Sequence, residues 1–406
     1  MALDQSISRL GGWEGYEVES CVTEVHGGRS WCIVQLGVQP GRQHWCSGCL
    51  RPCRTIHDVE QRRVRDLPLF EHRTVVIFPR VRLACPRCGP RVELLRWLDP
   101  HVRVTRRLGE SVARLCKVAS VLHVARHYDL DWKTVKALDK AYLERELGPV
   151  DLEGIEVIGL DEFAIHKGHR YATVVVEPTR KRVLWIGRGR GREDIRPFFE
   201  LLGPERCARL KAAVMDMNTG YQLEVRAHCA NAALVFDLFH VVAKYGREVI
   251  DRVRVDRANE LRADRRGRHI VKGARWLLLK NRDSLRPGED VELNELLSAN
   301  HSLFVVYVLR DALKDLWAQR HRATAAAAWN SWYRKALRSG IEPLRRFARA
   351  LKPYLPGILA HCQYPLGTNL IEGINNKIKV IKRMAYGFRD DAYFFLKIRA
   401  AFPGVG

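Results

Sequence analysis

The fold is decided by residues 155–186, which read IEVIGLDEFAIHKGHRYATVVVEPTRKRVLWI. Three segments within this stretch are apolar and rich in β-branched side chains, and turns containing Gly or Pro separate them: 155–160, 171–176 and 183–186. Runs of this length and composition predict three consecutive strands. Further along the chain we predict a helix at 195–202 and two more strands at 212–215 and 232–236. Strands followed by a helix and further strands predict a mixed α/β sheet domain.

The charge of the chain indicates its partner. The 406 residues include 69 Lys or Arg against 46 acidic residues, a net charge of +23. Residues 42–107 alone contain fifteen arginines, no lysine and six acids. Such an excess indicates a polyanionic partner, since Arg and Lys bind nucleic acid through its phosphates. No apolar run approaches the roughly 20 residues that span a bilayer, and the first residues lack the pattern of a signal peptide. We therefore expect a cytoplasmic protein with no membrane contact.

Two Cys-x-x-Cys pairs predict a zinc site. Cys46 and Cys49 form the first pair, Cys85 and Cys88 the second, and 35 residues lie between the pairs. Each pair can form a tight turn in which two thiolates face one ion, and two such turns complete a tetrahedral Zn²⁺ site. Four thiolates close the coordination shell, so the predicted zinc is structural. The alternative is a set of incidental reduced cysteines. Two other candidate ligands, which we expect not to be used, are Cys53 and His57.

Residues 104–147 are predicted to be helical and to contain a helix-turn-helix. Apolar residues recur at helical spacing in the first part, and two further helices are predicted at 121–127 and 132–143, with Asp131 as the N-cap of the last. The last helix would present four polar side chains to a major groove: Lys133, Thr134, Lys136 and Lys140. The alternative is plain packing of three amphipathic helices, and the neighbouring arginine-rich zinc module favours the DNA-binding interpretation.

Three carboxylates are candidates for a catalytic metal site. Asp161 and Asp216 follow predicted strands, and Glu372 begins a predicted helix. An acid at the end of an apolar strand is costly unless it is compensated, and a divalent cation compensates it. Two such ions about 3.5–4 Å apart can activate an attacking oxygen and stabilise the leaving oxygen of a phosphodiester. For any single Asp the alternative is a capping or turn role.

Other polar residues near these acids are candidates for contacts with DNA or with the metal ligands. Three side chains share a helical face with Glu372 and are predicted to bind DNA, the alternative being a solvated basic helix: Asn376, Lys379 and Arg383. His240 closes the fifth predicted strand, where it either contacts the scissile phosphate or leaving group or hydrogen-bonds a metal ligand. Strand alternation predicts that Glu162 points away from the metals.

The ordered series of motifs resembles the bacterial insertion-sequence transposases of the ISL-three family. The resemblance covers nearly the whole chain and is carried by the two cysteine pairs, the helix-turn-helix and the following motifs: GLDEFA at 159–164, MDM at 215–217, DLFH at 237–240, ARWLLLKN at 274–281, and NLIEGINNKIK at 369–379. One departure is that the segment after Cys88 lacks the further cysteine often present in relatives. The choice of Glu372 as the third carboxylate rests on this resemblance, because it follows Asp216 by 156 residues and spacing alone would not select it.

The resemblance implies an RNase H-like catalytic domain interrupted by a helical insertion between the second Asp and the Glu. It implies two catalytic Mg²⁺ ions, for which Mn²⁺ can substitute, and binding of double-stranded DNA at terminal inverted repeats and at a target. It also implies strand cleavage and transfer, and because paired ends need two active sites we expect a homodimer on DNA. The predicted order of domains is an N-terminal segment (1–40), a zinc-ribbon-like module (41–99), the helix-turn-helix domain (100–149), the first part of the catalytic domain (150–240), an all-helical insertion (241–355), and the last part with the catalytic Glu (356–406).

Two other functions are compatible with parts of this pattern. A non-catalytic, zinc-dependent DNA-binding regulator derived from a transposase would share residues 40–150 but would have no reason to keep three carboxylates. An RNase H-like structure-specific nuclease would keep the carboxylates but would not need so large an N-terminal DNA-binding region.

Overall fold

The computed structural model describes residues 8, 10–166, 168–365 and 369–404, apart from the side chains of residues 369 and 370. The chain divides into two units. The N-terminal unit comprises Met1–Gly148 and Lys382–Phe388, and the C-terminal unit comprises Pro149–Ile381 and Arg389–Gly406. Within the described ranges, no helix is both long enough and apolar enough to cross a membrane.

A five-stranded sheet forms the first part of the N-terminal unit. Its strands are β1 (Tyr16–His26), β2 (Arg29–Val38), β3 (Ile56–Leu69), β4 (His72–Cys85) and β5 (Gly89–Val92). They lie in the order β1-β2-β4-β3, with β5 beside β4, and only β2 and β4 pair in parallel. The rings of Tyr16, Phe78 and Trp97 meet edge to face, with centroids 4.9 to 5.6 Å apart. This aromatic packing gives the sheet a buried core. Strands β3 and β4 connect the two cysteine pairs along the chain.

Three helices follow the sheet, at the positions that the sequence predicts. They are α1 (Arg106–Leu115), α2 (Val121–Tyr128) and α3 (Trp132–Leu147). The Ser120 side chain accepts a hydrogen bond from the N–H of His123, and Asp131 accepts one from the N–H of Lys133. Such caps satisfy backbone donors that a helix start leaves without partners, so Asp131 is the N-cap as predicted. The third helix extends four residues beyond its predicted end and stops before Gly148.

A second five-stranded sheet lies in the C-terminal unit and confirms the predicted mixed α/β class. Its strands are β6 (Val157–His166), β7 (Arg170–Glu177), β8 (Arg182–Arg188), β9 (Ala212–Met215) and β10 (Ala233–Phe236). Their order is β10-β9-β6-β7-β8. The first three strands pair antiparallel, whereas β9 pairs in parallel with both β6 and β10. The carboxyl ends of β9 and β10 therefore lie beside each other at one edge of the sheet.

The rest of the C-terminal unit is helical. The helices that lie between or directly follow the strands are α4 (Arg192–Leu202), α5 (Pro204–Arg209), α6 (Thr219–His228) and α7 (Leu238–Tyr245). After a π-helical turn at Gly246–Ile250 come α8 (Asp251–Glu260), α9 (Arg265–Gly273), α10 (Arg275–Leu279), α11 (Glu289–Ala299), α12 (His301–Asp315), α13 (Arg322–Arg338), α14 (Glu342–Leu351) and α15 (Leu355–Leu359), with 3₁₀ turns at Arg282–Ser284, Lys352–Tyr354 and Ala360–Cys362. The last two helices are α16 (Asn369–Met384), which continues into the N-terminal unit, and α17 (Asp391–Ala401). Buried side chains of these helices and of the sheet form one hydrophobic cluster, so the helical segment packs on the sheet domain.

Candidate active site and metal centre

Three aspartates lie level with one another in the C-terminal sheet: Asp161 on β6, and Asp216 and Asp237 directly after β9 and β10. Val157 of β6 pairs with Ala212 of β9 and Gly159 with Val214, so the same register places Asp161 level with Asp216. The β9–β10 register likewise places Asp237 level with Asp216, and the N–H of Asp237 donates to the carbonyl of Met215 at 3.1 Å. Because adjacent strands lie about 4.8 Å apart, the register brings three acids into one row.

The prediction that Asp161 ends a strand is wrong. Strand β6 continues to His166, because it remains paired with β7 from Asp161 (opposite Val174) to His166 (opposite Arg170). Near Asp161, β6 loses only its parallel pairing with β9, because β9 ends at Met215. Asp161 therefore lies where β6 loses one of its two neighbours.

The electrostatics of the row are unfavourable without a cation. Burial raises the pKa of Asp161 above its ordinary value, and the charges of Asp216 and Asp237 raise it further. The N–H of Glu162 and the charge of His240 oppose that rise and lower the pKa of Asp161. Burial likewise raises the pKa of Asp216. Grouped, partly buried carboxylates disfavour ionisation, so a divalent cation would stabilise this arrangement.

His240 lies in the first turn of α7, beside the third acid. Asp237 caps that helix by accepting a hydrogen bond from the N–H of Phe239 at 2.7 Å, and its other oxygen lies 3.7 Å from His240 Nε2. Asp237 was not among the predicted carboxylates, although it follows an apolar strand just as Asp216 does. An acid directly after an apolar strand is therefore the sequence signal by which Asp237 could have been predicted as a site residue.

Helix α16, which carries Glu372, packs on the same sheet. Ile371 packs so closely against β6 that a Cβ atom added to Gly159 would lie 2.8 Å from its Cδ1 atom. One turn further on, Asn375 Nδ2 donates a hydrogen bond to Asp161 Oδ2 at 2.5 Å. Glu372 lies between these two anchored residues in the first turn of the helix, with its side chain exposed.

Asn375 is a polar residue of the site that the sequence did not single out by its chemistry. It is buried, and no described residue makes a hydrogen bond to its Oδ1 atom. A buried amide oxygen without a partner is costly. Asn375 is therefore a polar group held in place against Asp161, with one acceptor still available.

The remaining predicted residues around the acids are placed as follows. The Glu162 carboxylate lies 2.9 Å from the guanidinium of Arg190, which compensates its charge. The side chains of Asn376, Lys379 and Arg383 are exposed on α16, whereas Ile374 and Ile378 are buried. Helix α16 therefore has an apolar face toward the core and a polar, basic face toward solvent.

The four predicted zinc ligands come together in the N-terminal unit. The Sγ atoms of Cys46, Cys49, Cys85 and Cys88 all lie within 4.8 Å of one another, and no other group of three or more candidate ligands in the described part of the chain is so close. Backbone N–H groups of Arg87 and Cys88 lower the pKa of the Cys85 thiol, whereas burial and the neighbouring thiols raise the pKa of Cys88. Four thiols in this geometry can hold a metal ion, which favours the thiolate form of each ligand.

Cys53 and His57 lie outside this cluster. The Cys53 thiol donates to the carbonyls of Thr55 and Ala84 at 3.7 Å. His57 is exposed and its Nδ1 lies 2.6 Å from a carboxylate oxygen of Asp58. The cysteine cluster is therefore formed by the four residues that the spacing predicts.

The predicted DNA-contacting residues of the helix-turn-helix all lie on α3. Lys133 is exposed in the first turn, and Thr134, Lys136 and Lys140 are partly exposed. Trp132, also exposed, lies beside Lys133, whose Nζ is 5.9 Å from the centre of the indole ring. The helix thus presents cationic and aromatic groups at its N-terminal end.

Comparison with known proteins decides the family. A family model described as a transposase, of the ISL3 type, matches residues 158–398, which is more than half of the chain. The chain belongs to the ISL3 (ISL-three) family of transposases. A second model, described as the helix-turn-helix domain of transposase family ISL3, matches residues 93–143.

Individual relatives of this ISL3-family chain agree with that assignment. It is 55% identical to the transposase for insertion sequence element IS1001 of Bordetella parapertussis, over 97% of both chains. It is 29% identical to the transposase for insertion sequence element IS1557 of Mycobacterium tuberculosis, over 76% of this chain and 74% of the relative. The matched segments of the ISL3-family chain contain the aspartate row, helices α1 and α2, and α3 as far as residue 143.

Proposed function

We propose that this chain is a DNA transposase that binds the terminal inverted repeats of an insertion sequence and catalyses strand cleavage and strand transfer with Mg²⁺. The observation that carries the proposal is the row of Asp161, Asp216 and Asp237 beside the helix that presents Glu372. Membership of the ISL3 family supports the same activity. In this proposal, Asp161, Asp216 and Glu372 are the catalytic carboxylates.

An RNase H-like fold of the catalytic domain is part of the proposal. Three antiparallel strands, β8-β7-β6, continue into the parallel strands β9 and β10, and helices connect the parallel strands. In this proposal, the helical segment between β10 and α16 is the insertion that the resemblance implies. Ligands of such sheets gather at the carboxyl ends of the parallel strands, where Asp216 and Asp237 lie.

The donor set fits divalent cations of the Mg²⁺ type. Mg²⁺ and Mn²⁺ prefer oxygen ligands, and the pKa values of Asp161 and Asp216 are raised as expected for acids that lack a compensating charge. Asp161, Asp216 and Glu372 would hold two ions, which when bound activate the attacking oxygen and stabilise the leaving oxygen. In the proposal, the Glu372 carboxylate on α16 completes the ligand set that Asp161 and Asp216 begin on the sheet.

The neighbouring polar residues orient this set. Asn375 fixes one oxygen of Asp161 by its hydrogen bond, and the 3.7 Å contact of His240 with Asp237 supports a positioning role for the imidazole. Direct contact of His240 with the scissile phosphate or leaving group is the alternative role.

Replacing Asn375 with Ala should slow strand cleavage about 10- to 100-fold, the usual effect of removing a partner of a metal ligand. The reason is that Asp161 loses the donor that fixes its carboxylate. Cleavage of end-bearing DNA should be measured over a range of Mg²⁺ concentrations, and half-maximal activity should move to higher Mg²⁺. Asn330→Ala, at an exposed position of α13, is the control, and equal rates for both variants would remove Asn375 from the site.

The N-terminal unit would recognise the transposon ends. The cysteine cluster would hold a structural Zn²⁺, because four thiolates leave no open coordination position for chemistry. Helix α3 would enter the major groove with Lys133 and Thr134 at its start, and the arginine-rich sheet would contact phosphates. The exposed face of α16 would hold DNA through Asn376, Lys379 and Arg383.

Substituting Lys133 with Ala should weaken binding to end-bearing duplex and lower the slope of log K against log salt by about 1, as expected for one lost phosphate contact. Fluorescence anisotropy at four salt concentrations measures both quantities. The matched control is Lys117→Ala, whose ammonium lies 3.1 Å from a carboxylate oxygen of Glu146. The DNA-binding role of α3 is wrong if the slope stays unchanged for Lys133→Ala.

Three DNA substrates separate this function from its two alternatives. The purified chain with Mg²⁺ should cleave DNA that carries the element's terminal repeats and should not cleave a scrambled duplex. Specific binding without any metal-dependent cleavage would identify a regulator. Cleavage of a four-way junction regardless of its terminal sequence would identify a structure-specific nuclease.

Since paired ends need two active sites, the active complex is expected to contain two copies of the chain.

A further inference from the structure

One motif has a side chain that neither the fold nor the catalytic proposal uses. In the segment ARWLLLKN at residues 274–281, Leu277 and Leu278 are buried in the core, whereas the neighbouring Trp276 is 69% exposed in the first turn of α10. Leaving most of an indole in water forgoes the free energy that its burial would supply. The packed leucine pair anchors α10, and the indole of Trp276 is left available to contact a ligand.

The sequence around Trp276 is strongly basic. Residues 262–282 contain eight Lys or Arg and one acid, Asp264, and the Asp264 carboxylate accepts a hydrogen bond from the N–H of Gly267 as the N-cap of α9. The cationic side chains that are exposed and form no ion pair with any described residue are Arg262, Arg265, Arg266, Lys272 and Arg282. The guanidinium carbon of Arg275 lies 5.3 Å from the centre of the indole ring. We call the exposed side chains of residues 262–282 the basic-aromatic face.

The charge of this face selects its partner. The exposed side chains of this face carry five cations that form no ion pair with any described residue, against one acid, and such a surface attracts polyphosphate. It would repel a second copy of itself across a two-fold axis, and the cores of protein interfaces are depleted of charge. A nucleic acid can bind both the exposed cations and the exposed indole, because cations bind its phosphate backbone and an aromatic ring stacks on a base.

We propose that the basic-aromatic face binds DNA at a place where a base is unpaired, with Trp276 stacked on that base. In a duplex the base faces are covered by their neighbours, whereas an unpaired base presents a free π-face to the indole. This proposal rests on the proposed function, because cleavage and transfer at transposon ends create strand ends with bases free to unpair. Trp276 is in this account a DNA-binding residue of the helical insertion.

The test is a binding measurement without Mg²⁺, so that cleavage does not enter. Two fluorescently labelled end duplexes are compared, identical except for three unpaired nucleotides, one of them 2-aminopurine, next to the terminal repeat. Trp276→Ala should bind the unpaired DNA about tenfold more weakly, since stacking on one base accounts for roughly 5- to 150-fold in affinity. Its affinity for the full duplex should stay within about twofold of the wild type. Trp276→Phe should retain most of the binding, and Phe304→Ala, at another exposed aromatic of the helical segment, should change neither affinity.

Base stacking is read directly from 2-aminopurine, whose fluorescence should be quenched on binding the wild type and the Phe variant but not the Ala variant. Equal affinities of wild type and Trp276→Ala for the unpaired DNA would overturn the proposal, as would equal weakening on both substrates. Loss of self-association with unchanged DNA affinity would identify a protein interface instead and would also overturn it. If Trp276→Ala fails to fold, the Phe variant and the wild-type 2-aminopurine signal decide the question. A chain that shows this selective binding but cleaves no DNA refutes the catalytic function and leaves the stacking proposal standing.

Discussion

Asp216→Asn is expected to reduce strand cleavage more than 100-fold while leaving the affinity for end-bearing DNA unchanged. The loss should exceed the roughly 10- to 100-fold effect of changing a mere partner of a metal ligand, because Asp216 itself would hold the ions. Cleavage of labelled end duplex in Mg²⁺ and anisotropy without Mg²⁺ measure the two quantities. Binding should persist because the change removes no cation that contacts phosphate.

The stability of the same variant provides a separate readout. Burial raises the pKa of Asp216 in the folded protein, so its ionised form destabilises the metal-free fold at a pH above the raised value. The neutral amide removes that cost, and the melting temperature without divalent metal should stay equal or rise. Stabilisation by added Mg²⁺ should be lost. The control is Asp290→Asn, at an exposed position of α11. A variant that melts lower without metal, or that still cleaves at the wild-type rate, would show that Asp216 has a structural role only.

Cys49→Ser is expected to abolish zinc binding and, with it, recognition of the transposon ends. Structural zinc sites contribute on the order of 10–16 kcal/mol, which matches or exceeds the roughly 5–15 kcal/mol of stability of a whole domain. Loss of the ion should therefore unfold the region around β4 and β5, where two of the four thiols lie. Zinc content by mass spectrometry of the native protein should fall from one ion per chain to none, and the preference for end DNA over scrambled DNA should disappear.

Cys53→Ser is the matched control for the zinc prediction. Its thiol belongs to the same module and donates only to backbone carbonyls, a contact that a hydroxyl can also make. This variant should keep one zinc and its preference for end DNA. Equal loss of zinc in both variants would contradict the assignment of the four ligands, and retention of end recognition in zinc-free protein would contradict the structural role of the ion.

The cysteine cluster shows which features a sequence can predict. A Cys-x-x-Cys turn is local, so the spacing within each pair already indicates two ligands for one ion. The four thiols predicted in this way are the four that lie together. Helices α2 and α3 were predictable for the same reason, because their caps at Ser120 and Asp131 lie within a few residues of the helices that they begin.

The carboxylate site depends on long-range register, which sequence patterns do not contain. Asp161 was expected at a strand end, yet β6 continues because β7 remains paired with it. Asp237 joins the row only through the pairing of β9 and β10. The contact of Asn375 with Asp161 joins residues 214 positions apart, and no periodicity could predict it. Glu372 could be selected by resemblance alone.

The most direct test of the two-metal proposal is an anomalous difference map from crystals of the chain with end DNA and Mn²⁺. We expect two Mn²⁺ peaks at the carboxylates of Asp161 and Asp216, with Glu372 among the ligands. Peaks that lie away from Asp161 and Asp216, or ions bound there without Glu372, would contradict it.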